Sequence, residues 1–356
     1  MNKNNFAVIM AGGVGSRFWP MSTEEKPKQF LDVLGRGKTL IQMTFDRLTK
    51  LVPANQIFVV TNQKYAALVK EQIGLADSNI LTEPMRKNTA PAIAYAAHKI
   101  VAINPDANLI VAPSDHLILK EEDFVSIVDI ALNQAEQNDC LVTLGLKPTR
   151  PDTGYGYIQF ENSNQAKIGE VKKVIQFTEK PNLEKAEKFV ASGDYFWNSG
   201  IFIWRAKTII ASLQAFKPKL NELFTTKNDE YNSNNEQTFV NNAFTNCEDV
   251  SIDFAVLEPA QNVFVVLADL GWSDLGTWGS LNTHLSKDGN NNAIIGDGVN
   301  LFDSSNCIVN IENGKTVLLQ GLDGYIVVES GGILMVVKKE NEQEIKNYVA
   351  RIKNKK

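Results

Sequence analysis

Cysteine is scarce in this sequence, with only 3 residues in 356, and Cys140, Cys247 and Cys307 lie far apart. An odd number at such spacing argues against both a disulfide framework and a zinc site, and it fits a reducing compartment. A long hydrophobic run is also missing, because the first apolar segment ends at Gly12 after six residues. That segment is too short for a signal peptide or a membrane span. We therefore expect a cytoplasmic protein without a membrane partner.

Clustered positive charge is equally rare. The chain has 36 basic and 41 acidic residues, a net charge of −5, and no long basic run before its last six residues. This argues against nucleic acid as a partner, although local positive patches remain able to bind small anions. The hydrophobic fraction of 44% is that of an ordinary globular protein, and the length suggests two domains.

Strand-like and helix-like segments alternate for most of the length. Apolar runs rich in β-branched residues predict strands at 6–10, 57–61, 109–112, 141–146 and 263–267. Helical patterns between them predict an α/β fold, a doubly wound, mostly parallel sheet covered by helices. From about residue 290 the chain changes to short β runs between Gly, Asn and Asp, followed by a polar helix at 340–352. We therefore expect two domains, residues 1–285 and 286–356.

The first predicted strand runs into three glycines within four residues, Gly12, Gly13 and Gly15. Glycine permits a positive φ and a close backbone approach, so a turn of this kind can present several N–H groups to a phosphate. A plain glycine-rich turn is an equal alternative. Two familiar phosphate motifs fail here, because Phe18 occupies the third glycine of a dinucleotide fingerprint and Asp32 the first glycine of a P-loop.

Two acids follow predicted strands, Asp115 in "APSDH" and Asp274 in "GWSDLGTW". Ligands of doubly wound sheets bind at the carboxyl ends of strands, and Mg²⁺ prefers carboxylate oxygens. A capping aspartate and tryptophans that pack a domain junction are the alternatives.

Two further stretches have the composition of a sugar site. "GYGYI" and "WNSGIF" place aromatic residues beside small ones and one amide, which suits a hydroxyl-rich ligand. "FTEKP" adds the adjacent charges Glu179 and Lys180. Ordinary strand packing and a surface ion pair are the alternatives.

Taken in order, these stretches resemble one family. They are "MAGGVGSRFWPMS", "PKQF", "EPMRKNTAPAI", "APSDH", "GYGYI", "FTEKP", "WNSGIF", "SIDFAVLE" and "GWSDLGTW". The sequence resembles the bacterial mannose-1-phosphate guanylyltransferases of the sugar-phosphate nucleotidylyltransferase superfamily. Trp19 before Pro20 is typical of this guanylyl-transferring branch, whereas the uridylyl and thymidylyl branches usually lack it.

The resemblance implies a nucleotide site and a catalytic group. The nucleotide-binding residues implied by it are Ala11, Gly12, Gly13, Gly15 and Ser16 at the phosphates, and Glu83, Asn88 and Thr89 near the guanosine. The implied catalytic residues are Arg17 and Lys28, which neutralise phosphate charge, and Asp115 and Asp274, which hold Mg²⁺. Lys87 stands where arginine is frequent, which places a direct nucleotide contact there in doubt.

The resemblance also implies the sugar-phosphate site and the reaction. Gly156, Glu179 and Asn198 would contact mannose hydroxyls, and Lys180 the sugar phosphate. GTP and mannose 1-phosphate would give GDP-mannose and diphosphate by in-line attack on the α-phosphorus. A transferase for another sugar or base, and a regulatory relative without turnover, are the alternatives.

The tail indicates whether an isomerase domain accompanies the transferase. Trp278 is followed by 78 residues, and none after His284 is histidine, whereas a cupin-type isomerase domain needs on the order of 100 residues and a metal site rich in histidine. The tail resembles the small β-helix-like tail of monofunctional relatives. We therefore expect no isomerase activity, and a homodimer formed partly through the tail.

Overall fold

The computed structural model describes residues 2–161, 166–225 and 230–353. These residues form two compact units. The first consists of the described parts of Met1–Gly12, Thr44–Ser114 and Ile118–Trp272, and the second of those of Gly13–Met43, Asp115–Leu117 and Ser273–Lys356. The glycine-rich segment from Gly13 onward and the residues Asp115–Leu117 thus belong to the same unit as the tail. The division into domains at residue 285 stays a prediction.

The strands of the described residues are, in chain order, β1 (Asn5–Ala11), β2 (Ile57–Asn62), β3 (Ile80–Glu83), β4 (Asn108–Pro113), β5 (Leu117–Ile118), β6 (Leu141–Leu146), β7 (Tyr157–Phe160), β8 (Val171–Thr178), β9 (Tyr195–Arg205), β10 (Val263–Ala268), β11 (Trp272–Ser273), β12 (Ala293–Ile295), β13 (Val299–Phe302), β14 (Ile308–Ile311), β15 (Val317–Gln320), β16 (Tyr325–Ser330) and β17 (Ile333–Lys338). The helices are α1 (Leu40–Leu48), α2 (Ala66–Ile73), α3 (Thr89–Ile103), α4 (Glu121–Gln137), α5 (Leu183–Ser192), α6 (Ala206–Phe216), α7 (Pro218–Phe224), α8 (Glu236–Asn246), α9 (Trp278–Asn282) and α10 (Ile345–Lys353).

The first unit contains a nine-stranded sheet in the order β3-β2-β1-β4-β9-β6-β10-β8-β7. Neighbours are parallel from β3 to β4 and between β6 and β10, whereas β9 runs antiparallel to β4 and β6. Strand β8 is antiparallel to both β10 and β7. All five segments predicted as strands are strands of this sheet. The predicted α/β fold is confirmed, but the prediction of a mostly parallel sheet is wrong. The sheet is mixed, because β9 pairs antiparallel with β4, β6 and β7, and β8 pairs antiparallel with β10 and β7.

The central strands are buried along almost their whole length because they consist mainly of apolar residues. Strands β1, β4 and β6 have almost no exposed residue. Such continuous apolar runs are typical of strands covered on both faces. One cluster of buried side chains joins the sheet to α3 and α6.

The second unit contains two small sheets. One has the order β12-β14-β16-β17 and the other pairs β13 with β15. All of these pairs are parallel except β16 with β17. One of its buried clusters joins Phe18 and Leu31 to Trp278 and Ile326. The core of this unit thus combines the segment after the glycines with the tail, and the predicted β runs and final helix are confirmed.

Candidate active site

The glycine-rich turn of the second unit is built around Gly15. Its φ is 67°, and a Cβ at this position would lie 2.5 Å from the Cβ of Lys28, so only glycine fits. Gly13 differs, because a Cβ there would meet nothing within 4 Å. The carbonyl oxygen of Gly13 accepts a hydrogen bond from Gln29 Nε2 at 3.0 Å, and that of Val14 accepts one from Lys28 N at 3.3 Å. The "PKQF" stretch therefore holds the turn from its carbonyl side.

A single 3-10 turn, Ser16–Phe18, follows the glycines instead of a long helix. This agrees with the rejection of a dinucleotide fingerprint, which requires a helix at that point. Arg17 lies in the turn and is exposed, and Phe18 is fully buried. The Phe18 ring packs against Trp278, with ring centroids 5.0 Å apart. The "GTW" tryptophan is therefore a packing residue in this unit.

Lys28 brings three of the predicted catalytic residues together. Its side chain is 4% exposed, and Nζ lies 2.8 Å from Asp115 Oδ2. The same ammonium donates to the carbonyl oxygens of Asp274, at 2.8 Å, and Leu275, at 3.1 Å. An ammonium has three N–H donors, so these three acceptors use all of them. Lys28 thus ties the Asp115 and Asp274 segments to the glycine turn.

The surroundings of the two acids differ. Burial acts to raise the pKa of Asp115, but the ammonium of Lys28 and neighbouring donors outweigh it and hold that pKa below its ordinary value. The Asp274 carboxylate accepts a hydrogen bond from Gly276 N at 3.0 Å. Leu275, between Asp274 and Gly276, has a φ of 46°, which is unusual for a residue with a side chain. Backbone strain of this kind is found at functional sites.

This donor set fits Mg²⁺. The described residues include no group of three or more His, Cys, Asp and Glu side chains arranged to hold a metal ion. Mg²⁺ does not need such a group, since it is usually bound by one or two carboxylates together with substrate phosphates and water. Asp115 and Asp274 supply two carboxylates, both on segments that Lys28 joins.

In the first unit, Glu83 ends β3 as a buried carboxyl group. It is 5% exposed, and its Oε2 has no hydrogen-bond partner among the residues that the structure describes. Burial raises its pKa to about 7, against the lowering effect of Arg86. A Cβ on Gly12 would lie 3.4 Å from Glu83 Oε1, so the backbone at Gly12 passes close to this carboxyl group.

The start of α3 is fixed by Asn88 and Thr89. Asn88 has a φ of 67°, and its side chain accepts a hydrogen bond from Thr89 N at 3.0 Å. The Thr89 hydroxyl accepts one from Ile252 N at 2.9 Å. Lys87 Nζ donates to the carbonyl oxygen of Cys247 at 3.0 Å, so this ammonium supports the chain rather than reaching outward.

The predicted sugar-contact residues lie together in the first unit. A Cβ on Gly156 would lie 2.6 Å from Glu179 Oε2 and 3.4 Å from Asn198 Cβ, so the backbone at Gly156 packs closely against both side chains. Lys180 Nζ pairs with Glu179 Oε1 at 2.6 Å, and Lys180 has a φ of 45°. The surface ion pair considered from the sequence is therefore half buried, because the Glu179 side chain is only 7% exposed.

Two residues of this group were not predicted, Thr143 and Asp253. The Thr143 hydroxyl donates to Asn198 Oδ1 at 2.8 Å, and Asn198 Nδ2 donates to Asp253 Oδ1 at 3.0 Å. Burial and the nearby Glu179 charge raise the pKa of Asp253 to about 7. Asp253 lies in the "SIDFAVLE" stretch, which contributed to the resemblance but received no role, and Thr143 gave no signal inside an apolar strand.

Sequence comparison decides the family. The profile described as nucleotidyl transferase matches residues 6–291. The chain belongs to the nucleotidyl transferase family. Enzymes of this family generally use divalent metal ions.

Individual relatives match between 75% and 98% of this nucleotidyl transferase chain. A protein from Escherichia coli named mannose-1-phosphate guanylyltransferase is 37% identical over 350 residues, which are 97% of this chain and 73% of the relative. A solved structure from Thermus thermophilus, described as a mannose-1-phosphate geranyltransferase, has 30% identity and a TM-score of 0.86 and covers 98% of this chain and 99% of its own. A Helicobacter pylori structure described as a mannose-6-phosphate isomerase has 27% identity and a TM-score of 0.60, covering 75% and 99%.

No helix in the described part of the chain is long and apolar enough to cross a membrane.

Proposed function

We propose that this nucleotidyl transferase is a mannose-1-phosphate guanylyltransferase, which converts GTP and mannose 1-phosphate into GDP-mannose and diphosphate. The observation that supports this most strongly is the 37% identity to the Escherichia coli relative of that name over 97% of the chain. The sugar-phosphate oxygen attacks the α-phosphorus of GTP in line with the leaving diphosphate, so no protein nucleophile is required.

The glycine turn is proposed to bind the nucleotide phosphates. Its carbonyl groups at Gly13 and Val14 already accept hydrogen bonds from the "PKQF" stretch, which favours the N–H side of the turn for an anion. The Ser16 hydroxyl adds a donor. Exposed Arg17 neutralises charge on the transferred phosphate and the departing diphosphate. Lys28 adds positive charge and sets the positions of Asp115 and Asp274.

Asp115 and Asp274 are proposed to hold Mg²⁺. The ion, when bound, withdraws electron density from phosphate oxygens and offsets the charge that develops on them. Chelation by EDTA should abolish turnover, and Asp274→Asn should lower kcat by orders of magnitude with an unchanged melting temperature. Full activity of Asp274→Asn would contradict the assignment of both acids to one metal.

Glu83 is proposed to recognise the guanine base. Guanine presents two adjacent donors, N1–H and the N2 amino group, and an ionised carboxylate accepts from both. The buried Oε2 without a partner among the described residues supports this role. Asn88 and Thr89 are proposed to lie near the guanosine, and Asn88, with its φ of 67°, directly precedes α3.

The group of Gly156, Glu179 and Asn198 is proposed to bind mannose hydroxyls, and Lys180 the sugar phosphate. Gly156, Glu179 and Asn198 pack against one another, since a Cβ on Gly156 would meet both other side chains. This packing supports their assignment to a single site. Lys180→Ala should raise KM for mannose 1-phosphate far more than KM for GTP. Equal losses for the two substrates would place Lys180 elsewhere.

For the rest of the molecule we propose a cytoplasmic homodimer with a small β-helix-like tail and no isomerase activity. The parallel pairs β12–β14, β14–β16 and β13–β15 support the description of the tail. The Helicobacter pylori structure carries an isomerase description, so the absence of that activity needs a direct assay. Interconversion of fructose 6-phosphate and mannose 6-phosphate by metal-replete protein would overturn this part.

A further inference from the structure

The amide of Asn198 is held at both of its ends. Its Oδ1 accepts hydrogen bonds from the Thr143 hydroxyl at 2.8 Å and from Gly200 N at 3.3 Å. Its Nδ2 donates to Asp253 Oδ1 at 3.0 Å. Nδ2 has two hydrogens, so one remains for a ligand. The orientation of that hydrogen depends on the group that accepts the other one, which is Asp253.

An irregularity in the sheet explains why these side chains meet. Asn198 lies opposite Gly145 in the β6–β9 pairing, and the register shifts between Thr143 and Gly145. A bulge of this kind redirects side chains in the adjoining residues. Thr143 and Asn198 are 0% and 9% exposed, so their hydrogen bonds are formed away from bulk water, where an unmet polar group is costly.

The position of Asp253 is fixed by its own segment. It begins a π-helical turn, Asp253–Leu257, a geometry that occurs frequently at functional sites. The preceding residue, Ile252, donates its N–H to the Thr89 hydroxyl at 2.9 Å. Consecutive residues of one segment therefore bond to the start of α3 and to β9, which gives Asp253 little freedom to move away from Asn198.

We propose that Asp253 is a positioning residue for the sugar phosphate. By orienting the amide of Asn198, Asp253 determines which sugar is preferred. The proposal rests on the proposed function, because it takes Asn198 to be a contact of the sugar hydroxyls. Without the carboxylate, the Asn198 amide is held only at its oxygen and its remaining N–H is no longer directed. The sugar then loses one oriented donor, while GTP binding and the phosphate chemistry are unaffected.

The test compares Asp253→Ala and Asp253→Asn with the wild type and with Asp249→Asn, which changes an exposed acid four residues earlier in the chain. Pyrophosphate release is measured with mannose 1-phosphate varied at saturating GTP, with GTP varied, and with glucose 1-phosphate in place of the mannose compound. Loss of one oriented hydrogen bond is worth about 1.4 kcal/mol, on the order of tenfold in affinity. We expect Asp253→Ala to raise KM for mannose 1-phosphate on the order of tenfold, to leave KM for GTP unchanged, and to reduce the preference for mannose over glucose.

Asp253→Asn retains an oxygen that accepts from Asn198 and should recover most of the affinity, and Asp249→Asn should match the wild type. An unchanged KM for mannose 1-phosphate in Asp253→Ala, an equal rise in KM for GTP, or an Asp253→Asn variant as weak as Asp253→Ala would each overturn the proposal. These outcomes require an active wild type and leave the proposed function standing. A wild type that releases no pyrophosphate from GTP and mannose 1-phosphate would overturn the proposed function and this inference with it.

Discussion

At the scale of single residues, Glu83 combines a cost in stability with a proposed role in binding. Its pKa near 7 means that the carboxyl group changes from mostly neutral to mostly ionised between about pH 6 and pH 8. Only the ionised form accepts both guanine donors. We expect KM for GTP to fall several-fold over this range in the wild type and to stay flat and high in Glu83→Gln. A parallel pH dependence in the variant would contradict the assignment of Glu83 to the base.

The same group predicts a pH dependence of stability. Because the folded pKa lies above the ordinary value of 4.5, the neutral carboxyl stabilises the fold below that value and the contribution is lost as the pH rises through about 7. Above pH 7, the unfolding free energy of Glu83→Gln should therefore exceed that of the wild type by up to about 2–3 kcal/mol, and its melting temperature should be higher. At pH 4 the two proteins should differ little. Thermal melts across pH without GTP measure this difference.

Arg17 and Lys28 are both cations of the proposed phosphate site, but their surroundings differ. Arg17 is exposed, whereas Lys28 is buried and donates to Asp115, Asp274 and Leu275. Arg17→Ala should lower kcat by about 10²–10³ with an unchanged melting temperature, as is typical for loss of one charge-stabilising group. Lys28→Ala should lower both kcat and the melting temperature, because it leaves three acceptors without their donor. If Arg17→Ala changed only KM for GTP, Arg17 would be a binding group and not a catalytic one.

At the scale of elements, the glycine turn contains two glycines, Gly13 and Gly15, that look alike in the sequence motif but differ in their surroundings. Gly15→Ala places a methyl group 2.5 Å from Lys28 Cβ at a positive φ, whereas Gly13→Ala meets no atom within 4 Å. We expect Gly15→Ala to cost at least about 1–3 kcal/mol in unfolding free energy and most of the activity. Gly13→Ala, measured in the same denaturant titrations, should be nearly neutral in stability. Equal stability of the two variants would contradict the described turn.

The elements also show what could be read from the sequence and what could not. The apolar strands β1, β2, β4, β6 and β10 were predictable, because local composition determines them. The insertion of antiparallel β9 between β4 and β6 was not, since it depends on pairing between segments that are far apart in the chain. The local composition of β9 can indicate a strand, but it does not indicate which strands pair with it.

The candidate site divides in the same way. Glycines, acids and the Glu179–Lys180 pair were recognisable from their residue types and their order along the chain. Thr143 and Asp253 were missed because their role comes from hydrogen bonds to Asn198 across the sheet. The tie between Lys28, Asp115 and Asp274 joins residues up to 246 positions apart and likewise required the structure.

At the scale of the whole molecule, the tail leaves apolar side chains exposed. Leu318 is 67% and Leu334 61% exposed, and Leu334 lies on β17, the last strand of its sheet. An exposed apolar edge strand is a surface that favours pairing with another chain. We expect a homodimer by light scattering at micromolar concentration, and Leu334→Lys should shift it toward monomer. Ile175→Lys is the matched control, because Ile175 is equally exposed on β8 in the first unit. A wild-type monomer would rule out the dimer.

The most direct test of the central claim is a pyrophosphate-release assay in which GTP, UTP, dTTP and ATP are each combined with mannose 1-phosphate or glucose 1-phosphate in the presence of Mg²⁺. We predict the highest kcat/KM for GTP with mannose 1-phosphate, and no release after EDTA treatment. A higher kcat/KM for another nucleotide or for glucose 1-phosphate, or no release with any pair, would contradict the account.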